Sequence, residues 1–381
     1  ISDREVHEKY EIAENSRIGK INELIIHYTY DNIEQFLEKL NRYTSESATQ
    51  YMKEHKKSGI VKIYSKMLFR FIRMYILQLG FLDGYEGYLL AKYSSIYTMT
   101  KYTKLREQYF KTLGKETSLI VTTYNWPEAL EICLNSVLSQ TVIPKEIIIA
   151  DDGSKHETAD LVQKIKESNP NIEIIHSWQE DDGFRLSMSR NKAINKATGE
   201  YIIIIDGDLM LNRHFVEDHI KNKKRGCFIQ GSRVITSAFA AKEIMEGEKI
   251  NLFSKGLRNN INMVRSKILS KVFTKVDRSL RGIRACNMSF FKEDLIKVNG
   301  FEEEIEGWGR EDSELAVRLF NIGCKKKKLK FEALTCHLYH NENDRSRLKK
   351  NDEYLVEAIK SRKTMAKKGL DRYEGSNAGN N

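Results

Sequence analysis

The sequence is short of proline and cysteine, and it lacks any long apolar run. It has 3 prolines among 381 residues, with 40% hydrophobic and 30% charged residues, the ordinary composition of a folded protein. The 5 cysteines are odd in number and show no C-x-x-C spacing, which argues against a disulfide framework or a zinc site and favours a reducing cytosol. No signal peptide is evident, and no apolar run reaches the roughly eighteen residues that a membrane-spanning helix needs.

The charge is unbalanced, with 63 basic against 53 acidic residues and a formal net charge of +10. This surplus permits anionic partners, such as a lipid surface, a nucleic acid or a nucleotide diphosphate, and does not choose among them. No recognised nucleic-acid-binding module is present and the excess is spread along the chain, so nucleic acid is not a predicted partner. The length suggests two or three domains. The first residue is Ile rather than Met, from which we expect a processed chain or a piece of a longer one.

Residues 1–112 are predicted to form a mainly α-helical segment. Residues 33–40 have an amphipathic pattern that follows Asp31, a candidate N-cap. Residues 64–79, YSKMLFRFIRMYILQL, interleave large apolar and aromatic side chains with lysine and arginine, and a further helix runs from about residue 85 to residue 109. Basic, aromatic, amphipathic helices suit a membrane surface, whereas packing against a neighbouring domain is an equally supported alternative.

From residue 118 the pattern changes to alternating strands and helices, which is typical of a parallel α/β sheet. Four short apolar runs are predicted strands: 118–124, 145–150, 172–176 and 201–205. We expect this domain to span residues 113–345. Within it, residues 227–235 are predicted to form one further strand. Residues 243–281 are rich in lysine and arginine without a clear period, and we interpret them as an insertion over the site and a candidate flexible loop on its acceptor side. Residues 346–381 are expected to form a charged helix to residue 368 and then a disordered tail.

The most informative stretch is YIIIIDGDLM, residues 201–210. Its β-branched run predicts a strand buried on both faces, and it ends in Asp206, Gly207 and Asp208. A glycine there lets the backbone turn while two carboxylates project from the strand end, where open α/β sheets bind ligands. Such a pair is suited to holding a divalent cation against a diphosphate. A polar turn that binds no ligand is the alternative explanation of these residues. The polar residues at the ends of the other predicted strands argue against it.

Three predicted strands deliver polar residues to the same sheet edge. Thr123 ends the first strand, and Asp151 and Asp152 end the second. A carboxylate only accepts hydrogen bonds, which suits a base N–H and a ribose hydroxyl, so we expect these residues to bind a nucleotide. Arg185 and Arg190 are candidates for cationic support of its phosphates.

Two later stretches complete the predicted site. In EGWGRED, Trp308 stands between glycines, and Glu311 and Asp312 follow at the start of a helix; capping is the simpler explanation of these acids. The functional hypothesis is that Trp308 and Gly309 form a wall for a sugar, with Glu311 beside it. Two histidines, His337 and His340, follow at the end of a late strand.

Together these residues fit the chemistry of a nucleotide-diphosphate sugar. Asp206 and Asp208, with His337 or His340, are predicted to hold Mn²⁺ or Mg²⁺ against the diphosphate. Asp312 is the candidate general base for an acceptor hydroxyl, which attacks the anomeric carbon from the opposite face and inverts its configuration. The residues themselves leave open which histidine binds the metal.

Four stretches resemble the inverting GT-A glycosyltransferases of family two: TTYNWPEALEICLNSVLSQT, IIIADDGS, FRLSMSRNKAINKATGEYIIIIDGD and GFEEEIEGWGREDSELAVRL. They occur in the expected order between about residues 117 and 342. The EGWGRED part is similar to the acceptor motif of β-galactosyl- and N-acetylhexosaminyl-transferases, including bacterial chondroitin-type polymerases. The resemblance implies a GT-A fold, a UDP-sugar donor and an oligosaccharide or glycolipid acceptor. By position, the resemblance implies that Asp152 contacts the uridine, with Asp151 beside it, and that Asp206 and Asp208 bind the donor and the metal. It implies an acceptor side at Trp308 and Glu311, with Asp312 as the base. Of the two histidines, it favours His337 over His340 as the metal ligand.

The beginning of the chain resembles a different group of enzymes. VHEKYEI, HYTYDNIEQFLEKLNRYT and FLDGYEGYLLAKYSSIY are similar to the C-terminal part of lipopolysaccharide-core glycosyltransferases, over about residues 4–108. The resemblance implies a remnant whose nucleotide-binding half lay upstream. His7 and Glu8 are candidates for service in that missing site, and His27 is unassigned.

Other classes fit less well. No G-x-G-x-x-G follows the first strand, and no P-loop motif is present, which argues against a dinucleotide oxidoreductase and a P-loop phosphotransferase. A non-catalytic nucleotide-sugar or glycan-binding partner and a nucleotidyltransferase remain as alternatives. The sequence therefore predicts an inverting, metal-dependent, UDP-sugar glycosyltransferase that extends a bacterial capsule or lipopolysaccharide. We expect it in the cytoplasm, at the inner face of the membrane.

Overall fold

The structure, a computed structural model, describes residues 32–341 and 344–373. The chain divides into two compact units, Ile1–Thr112 and Leu113–Asn381. The predictions for His7, Glu8 and His27 lie outside the described residues, as do Asp31 and residues 374–381 of the expected tail.

The N-terminal unit is helical, as predicted. Its helices are α1 (Ile33–Lys53), α2 (Ile60–Ile72) and α3 (Gly84–Leu113), with a π-helical turn at Arg73–Leu77 and a 3₁₀ turn at Gly80–Asp83. α1 begins at a cap made by Asn32, whose side chain accepts a hydrogen bond from the Gln35 backbone N–H (2.9 Å).

Polar and aromatic contacts join α1 to α3 inside this unit. Lys104 donates to the side chains of Asn41 (2.6 Å) and Ser45 (2.8 Å), and the rings of Phe36 and Tyr93 meet edge to face at 5.1 Å. Among the helices of the described residues, none is both long and apolar enough to cross a membrane.

The second unit is a mixed α/β domain, which confirms the predicted fold class. Its strands are β1 (Thr117–Thr123), β2 (Glu146–Asp151), β3 (Glu173–Trp178), β4 (Tyr201–Asp206), β5 (Leu209–Leu211), β6 (Cys227–Gln230), β7 (Ser232–Thr236), β8 (Leu257–Arg258), β9 (Lys275–Asp277), β10 (Asn287–Phe291), β11 (Lys325–Lys328) and β12 (Leu334–His337). Its helices are α4 (Pro127–Leu138), α5 (His156–Ser168), α6 (Leu186–Lys196), α7 (Phe215–Asn222), α8 (Ala238–Met245), α9 (Lys267–Phe273), α10 (Lys292–Lys297), α11 (Glu311–Asn321) and α12 (Leu348–Lys360).

Eight of these strands form one sheet in the order β3-β2-β1-β4-β10-β6-β11-β9. β3, β2, β1 and β4 run parallel, and β10 pairs antiparallel with β4. The four isoleucines of β4 are fully buried between β1 and β10, which is the burial expected for a continuous β-branched run. The parallel strands therefore end side by side, as the sequence predicted.

A second sheet has the order β5-β12-β7-β8. The run from residue 227 to residue 235, predicted as one strand, is two strands that belong to different sheets. The Asn287 side chain lies at the division, where its amide group donates to the carbonyls of Ser232 (3.3 Å) and Ala333 (2.9 Å). The expectation of a flexible insertion over residues 243–281 is wrong, because this region contributes β8 to the second sheet and β9 to the first.

The C-terminal segment also differs from its prediction. The helix ends at Lys360 rather than near residue 368, and Leu370–Tyr373 forms a 3₁₀ turn with Leu370 buried in the core. Asn299 exchanges hydrogen bonds with Asp371, accepting from its N–H (2.9 Å) and donating to its carboxylate (2.9 Å). Residues 369–373 are therefore part of the packed domain and not of a disordered tail.

A buried ion pair holds α11 against the loop before it. The Arg318 guanidinium is fully buried and donates to Glu314 at 2.8 Å and 2.6 Å, and also to the backbone carbonyls of Val298 and Gly300. Because Glu314 is equally buried, neither charge has water to replace its partner.

We expect Arg318→Ala to lower the free energy of unfolding by about 3–5 kcal/mol, because it leaves the Glu314 carboxylate buried and unpaired. Urea denaturation followed by circular dichroism measures this loss. The matched control is Lys242→Ala, which removes an exposed pair with Glu246 and should cost no more than about 1 kcal/mol. Equal losses in the two variants would contradict the assignment.

Candidate active site

The ends of β2, β1 and β4 bring the predicted nucleotide-binding residues together. Thr123 pairs in register with Asp151, and its neighbour Thr122 pairs with Asp206. Gly207 turns closely against β1: its N–H donates to the Thr122 carbonyl (2.7 Å), and an added Cβ would lie 2.8 Å from that oxygen. The DGD turn is therefore pressed against the first strand and needs glycine.

Arg190, expected to support phosphates, is instead buried between two carboxylates. Its guanidinium contacts Asp206 Oδ1 and Glu311 Oε1, each at 3.1 Å, and the side chain is 1% exposed. Burial lowers the pKa of Arg190, but the nearby Asp206 and Glu311 outweigh it and raise the pKa. Arg190 thus links the DGD turn to the EGWGRED segment and has its charge already balanced.

Arg185 also differs from the prediction. Its guanidinium contacts the Glu180 carbonyl (2.7 Å) and Asp182 Oδ2 (2.9 Å) in the preceding loop. Its backbone N–H donates to Asp152 Oδ2 (2.9 Å), just after β2.

Asp151 and Asp152 are both buried, and their oxygens are already engaged. Asp151 accepts from the Ser154 backbone N–H (2.8 Å) and lies 2.8 Å from His176 Nε2. Asp152 accepts from the Gln179 amide (2.5 Å), and burial raises its pKa to about 6. Hydrogen bonds within the protein therefore fix the orientation of both carboxylates. The role of Asp152 in binding uridine stays a prediction.

Asp208, His337 and His340 form a cluster that can hold a metal ion. His337 Nε2 and His340 Nε2 lie 3.3 Å and 3.4 Å from Asp208 Oδ2, and one ligand atom from each residue lies within 4.8 Å of the others. The second sheet makes this meeting possible, because Leu209 pairs with His337 and the Leu338 N–H donates to the Asp208 carbonyl (2.9 Å). Both histidines therefore reach Asp208.

The chemistry of this cluster fits a divalent cation. Asp208 Oδ1 and His337 Nδ1 are buried without a hydrogen-bond partner among the described residues, an arrangement that a bound group would explain. Burial lowers the pKa of His337, which favours the neutral imidazole that ligates metals. The hydrogen bond to Asp208 raises the pKa of His340. One carboxylate and two imidazoles suit Mn²⁺ better than Mg²⁺, which prefers oxygen ligands.

Trp308, Glu311 and Asp312 lie on the other side of Arg190. The Trp308 ring is 36% exposed and has the Arg345 guanidinium 4.8 Å from its centroid. Burial and the neighbouring Glu311 carboxylate raise the pKa of Asp312 to about 7, with Arg190 acting in the opposite direction. A carboxylate with that pKa can take up a proton near neutral pH.

Several residues near the site escaped the sequence analysis. Gln179 directly follows β3, so its strand-end position was the available signal. Arg233 carries no comparable signal: it lies on β7 in register with Thr335, and its Nη1 is 3.2 Å from Cys286 Sγ. Its Nε is buried without a hydrogen-bond partner among the described residues, and its charge helps to lower the pKa of His337.

The structure shows a mixed α/β domain with a candidate metal centre, and comparison with known proteins relates it to a family. Residues 118–277 match the family model described as glycosyl transferase family 2, and residues 267–341 match the one described as N-terminal domain of galactosyltransferase. The two matches together span residues 118–341 and support a family-two glycosyltransferase, as the resemblance implied. The resemblance of residues 4–108 to lipopolysaccharide-core enzymes stays a prediction.

Relatives include the chondroitin synthase of Pasteurella multocida, 29% identical over 225 residues, which cover 54% of this chain and 23% of that protein. The chondroitin synthase of Escherichia coli is 28% identical over 54% of this chain and 32% of its own length. The putative glycosyltransferase EpsH of Bacillus subtilis is 35% identical over 104 residues, 27% of this chain and 29% of that protein. The chain thus spans about a quarter to a third of the length of these relatives.

Among solved structures, Staphylococcus aureus TarS 1-349 aligns with a TM-score of 0.45 and 18% identity, over 68% of each chain. A mannosyltransferase from Pyrobaculum calidifontis, in complex with GDP-Man and Mn²⁺, aligns with a TM-score of 0.43 and 17% identity, over 60% of this chain and 58% of that one. At these scores the likeness supports no conclusion about the site.

We expect Asp208→Ala to weaken Mn²⁺ binding by about tenfold or more, because it removes the charged ligand between the two imidazoles. His337→Ala and His340→Ala should each weaken it as well. Titration followed by Mn²⁺ electron paramagnetic resonance measures the affinity. His156→Ala, which removes an exposed histidine elsewhere in this unit, is the control and should change nothing. Unchanged affinity in Asp208→Ala would remove the metal assignment.

Proposed function

We propose that this glycosyltransferase is inverting and metal-dependent, and that it transfers a hexosyl or N-acetylhexosaminyl group from a UDP-sugar to a hydroxyl of a bacterial surface glycan. The observation that carries the proposal is the Arg190 bridge between Asp206 and Glu311. It joins a metal-binding turn to the segment that holds Asp312. The donor side and the acceptor side of the proposed site are therefore held at a fixed distance from each other.

The chemistry follows from these positions. Asp312 takes the proton of the acceptor hydroxyl, whose oxygen attacks the anomeric carbon on the face opposite the diphosphate. The bond from that carbon to the diphosphate oxygen breaks, and UDP leaves with the electron pair. Mn²⁺ or Mg²⁺ held by Asp208, His337 and His340 would neutralise charge on the diphosphate. One base suffices, since no covalent enzyme intermediate is required.

The nature of the acceptor is supported by the relatives. The chondroitin synthases and a poly-β-1,6-N-acetyl-D-glucosamine synthase of Staphylococcus aureus act, by their names, on bacterial polysaccharides. Trp308 offers an exposed aromatic face beside Asp312, the kind of surface on which a sugar ring packs. We therefore place capsule or lipopolysaccharide saccharides on this side of the site, with synthesis at the cytoplasmic face of the membrane.

The test is a panel of UDP-sugars with acceptor saccharides, in which we expect Mn²⁺-dependent UDP release for one donor, abolished by a chelator. Asp312→Asn should retain UDP binding and lose transfer by about a hundredfold or more, because an amide cannot accept the proton. Since the base must be deprotonated, kcat/KM should fall as the pH drops through about 7, the pKa of Asp312.

Three results would contradict the proposal. Full turnover by Asp312→Asn would remove Asp312 as base. Release of pyrophosphate in place of UDP would identify a nucleotidyltransferase. Tight UDP binding with no transfer to any acceptor would favour a non-catalytic binding partner.

We also propose that the N-terminal unit binds an anionic membrane surface through residues 55–82, the basic apolar segment. This segment has six lysines and arginines and no acidic residue between Glu54 and Asp83. Large apolar side chains on it are exposed to solvent: Val61, Leu68, Phe69, Ile76, Leu77, Leu79 and Leu82. Lys56 pairs with Glu54, but the segment as a whole has an excess of cations. Exposed apolar side chains among these cations match the interface of an anionic bilayer in both polarity and charge.

The double variant Phe69→Asp, Leu77→Asp should lower the partition onto vesicles of anionic phospholipid by about tenfold or more, because it removes apolar contact and adds repulsion. Co-sedimentation measures the bound fraction. The control is Phe239→Asp, which changes a phenylalanine of the second unit that is exposed to the same degree as Phe69 (57% against 55%), and this variant should bind like the wild type. Equal binding by all three proteins, or strong binding to neutral vesicles only, would contradict the proposal.

A further inference from the structure

The loop that carries Trp308 has an unusual backbone. Gly307, Gly309 and Arg310 all have positive φ angles, of 74°, 97° and 79°. Glycine adopts this region freely, but arginine does so only where its surroundings hold it. The loop also leads directly into Glu311 and Asp312 at the start of α11. Whatever holds the loop therefore also sets the position of the candidate base.

Helix α12 supplies the contacts that hold this loop. The amide group of Asn351, whose side chain is buried, donates to the carbonyls of Glu306 (2.9 Å) and Gly309 (3.0 Å). These two carbonyls stand on either side of Trp308. One side chain thus fixes both ends of the turn that presents the tryptophan.

Neighbouring residues of the C-terminal segment complete the contact. Asp352 accepts from Arg310 Nε at 2.5 Å, and Arg347 pairs with Glu306. A Cβ added to Gly307 would lie 3.1 Å from Arg347 Cδ, and one added to Gly309 would lie 3.2 Å from Leu348 Cδ1. The start of α12 is therefore packed against the loop along its length.

This support comes from outside the part of the chain that matches the family models, which ends at residue 341. From the opposite side, the loop is joined to the donor end by the Arg190 contact with Glu311 (3.1 Å). Residues 306–312 are thus held between a buried cation on α6 and a buried amide on α12. Small displacements of such a segment are expensive for catalysis, because the reacting groups lose their alignment.

We propose that Asn351 is a positioning residue, and that α12 sets the loop of residues 306–310 in the conformation that receives the acceptor sugar. The inference rests on the proposed function, in which Trp308 and Asp312 face the acceptor. It assigns acceptor recognition in part to helix α12, through its contacts with residues 306–310.

The test is Asn351→Asp, which keeps the size of the side chain but replaces the donating amide with a carboxylate facing two carbonyls. We expect kcat/KM for the acceptor to fall by about a hundredfold, with most of the change in the acceptor KM. Mn²⁺-dependent UDP binding should equal that of the wild type. Hydrogen–deuterium exchange of residues 306–310 should become faster.

Two further variants separate positioning from loss of folding. Glu353→Gln, on the exposed face of the same helix, should leave all of these measurements unchanged. Asp352→Asn weakens the half-exposed contact with Arg310 without burying a charge, and should raise the acceptor KM with UDP binding intact.

Unchanged acceptor kinetics in both Asn351→Asp and Asp352→Asn would overturn the inference, as would a loss of UDP binding in parallel with acceptor binding. A wild type that transfers to no acceptor, while Asn351→Asp still accelerates exchange in the loop, would reject the proposed function and keep Asn351 as the anchor of the loop. Unchanged exchange would reject that anchor too.

Discussion

The buried guanidinium of Arg190 is the interaction on which the arrangement of the site depends. A cation with 1% exposure must be balanced within the protein, and the two carboxylates that balance it come from the end of β4 and the start of α11. Asp206 and Glu311 are far apart in the chain, yet each is held at 3.1 Å from the same group. The end of β4 and the start of α11 are therefore fixed relative to each other by one buried group.

The metal cluster depends on a second constraint, which is the pairing of β5 with β12. The chain turns at Gly207 and immediately enters a short strand of the smaller sheet, so Asp208 lies at the seam between the two sheets. His337 lies close to Asp208 because β12 pairs in register with β5. His340 lies close to it through the loop that follows β12. Internal hydrogen bonds likewise fix the orientation of the Asp151 and Asp152 carboxylates. A site of this kind is preorganised, and little reorganisation is required of it on binding.

The parallel part of the first sheet was accessible from the sequence because its signals are local. Four apolar runs, each followed by polar residues, are enough to predict neighbouring parallel strands, and the β-branched run of β4 is buried as its composition requires. The errors arose where the signal was not local. Residues 243–281 show no clear periodicity, because β8 and β9 are two and three residues long and gain stability from their partners in two sheets. Residues 369–373 look polar and flexible, yet Asn299 and the buried Leu370 hold them.

The sequence by itself determined the types of groups at the site: the carboxylates of the DGD turn, the two histidines, the tryptophan between glycines and the acids that follow it. Only the tertiary structure decided what each group contacts. Arg190 is a residue type that often binds phosphate, but here it is buried between two carboxylates and links the segments that carry them. Asn351 carried no motif, and its importance comes from two carbonyls that the fold brings within hydrogen-bonding distance. A residue type fixes which bonds a side chain can form, and packing fixes which of them it does form.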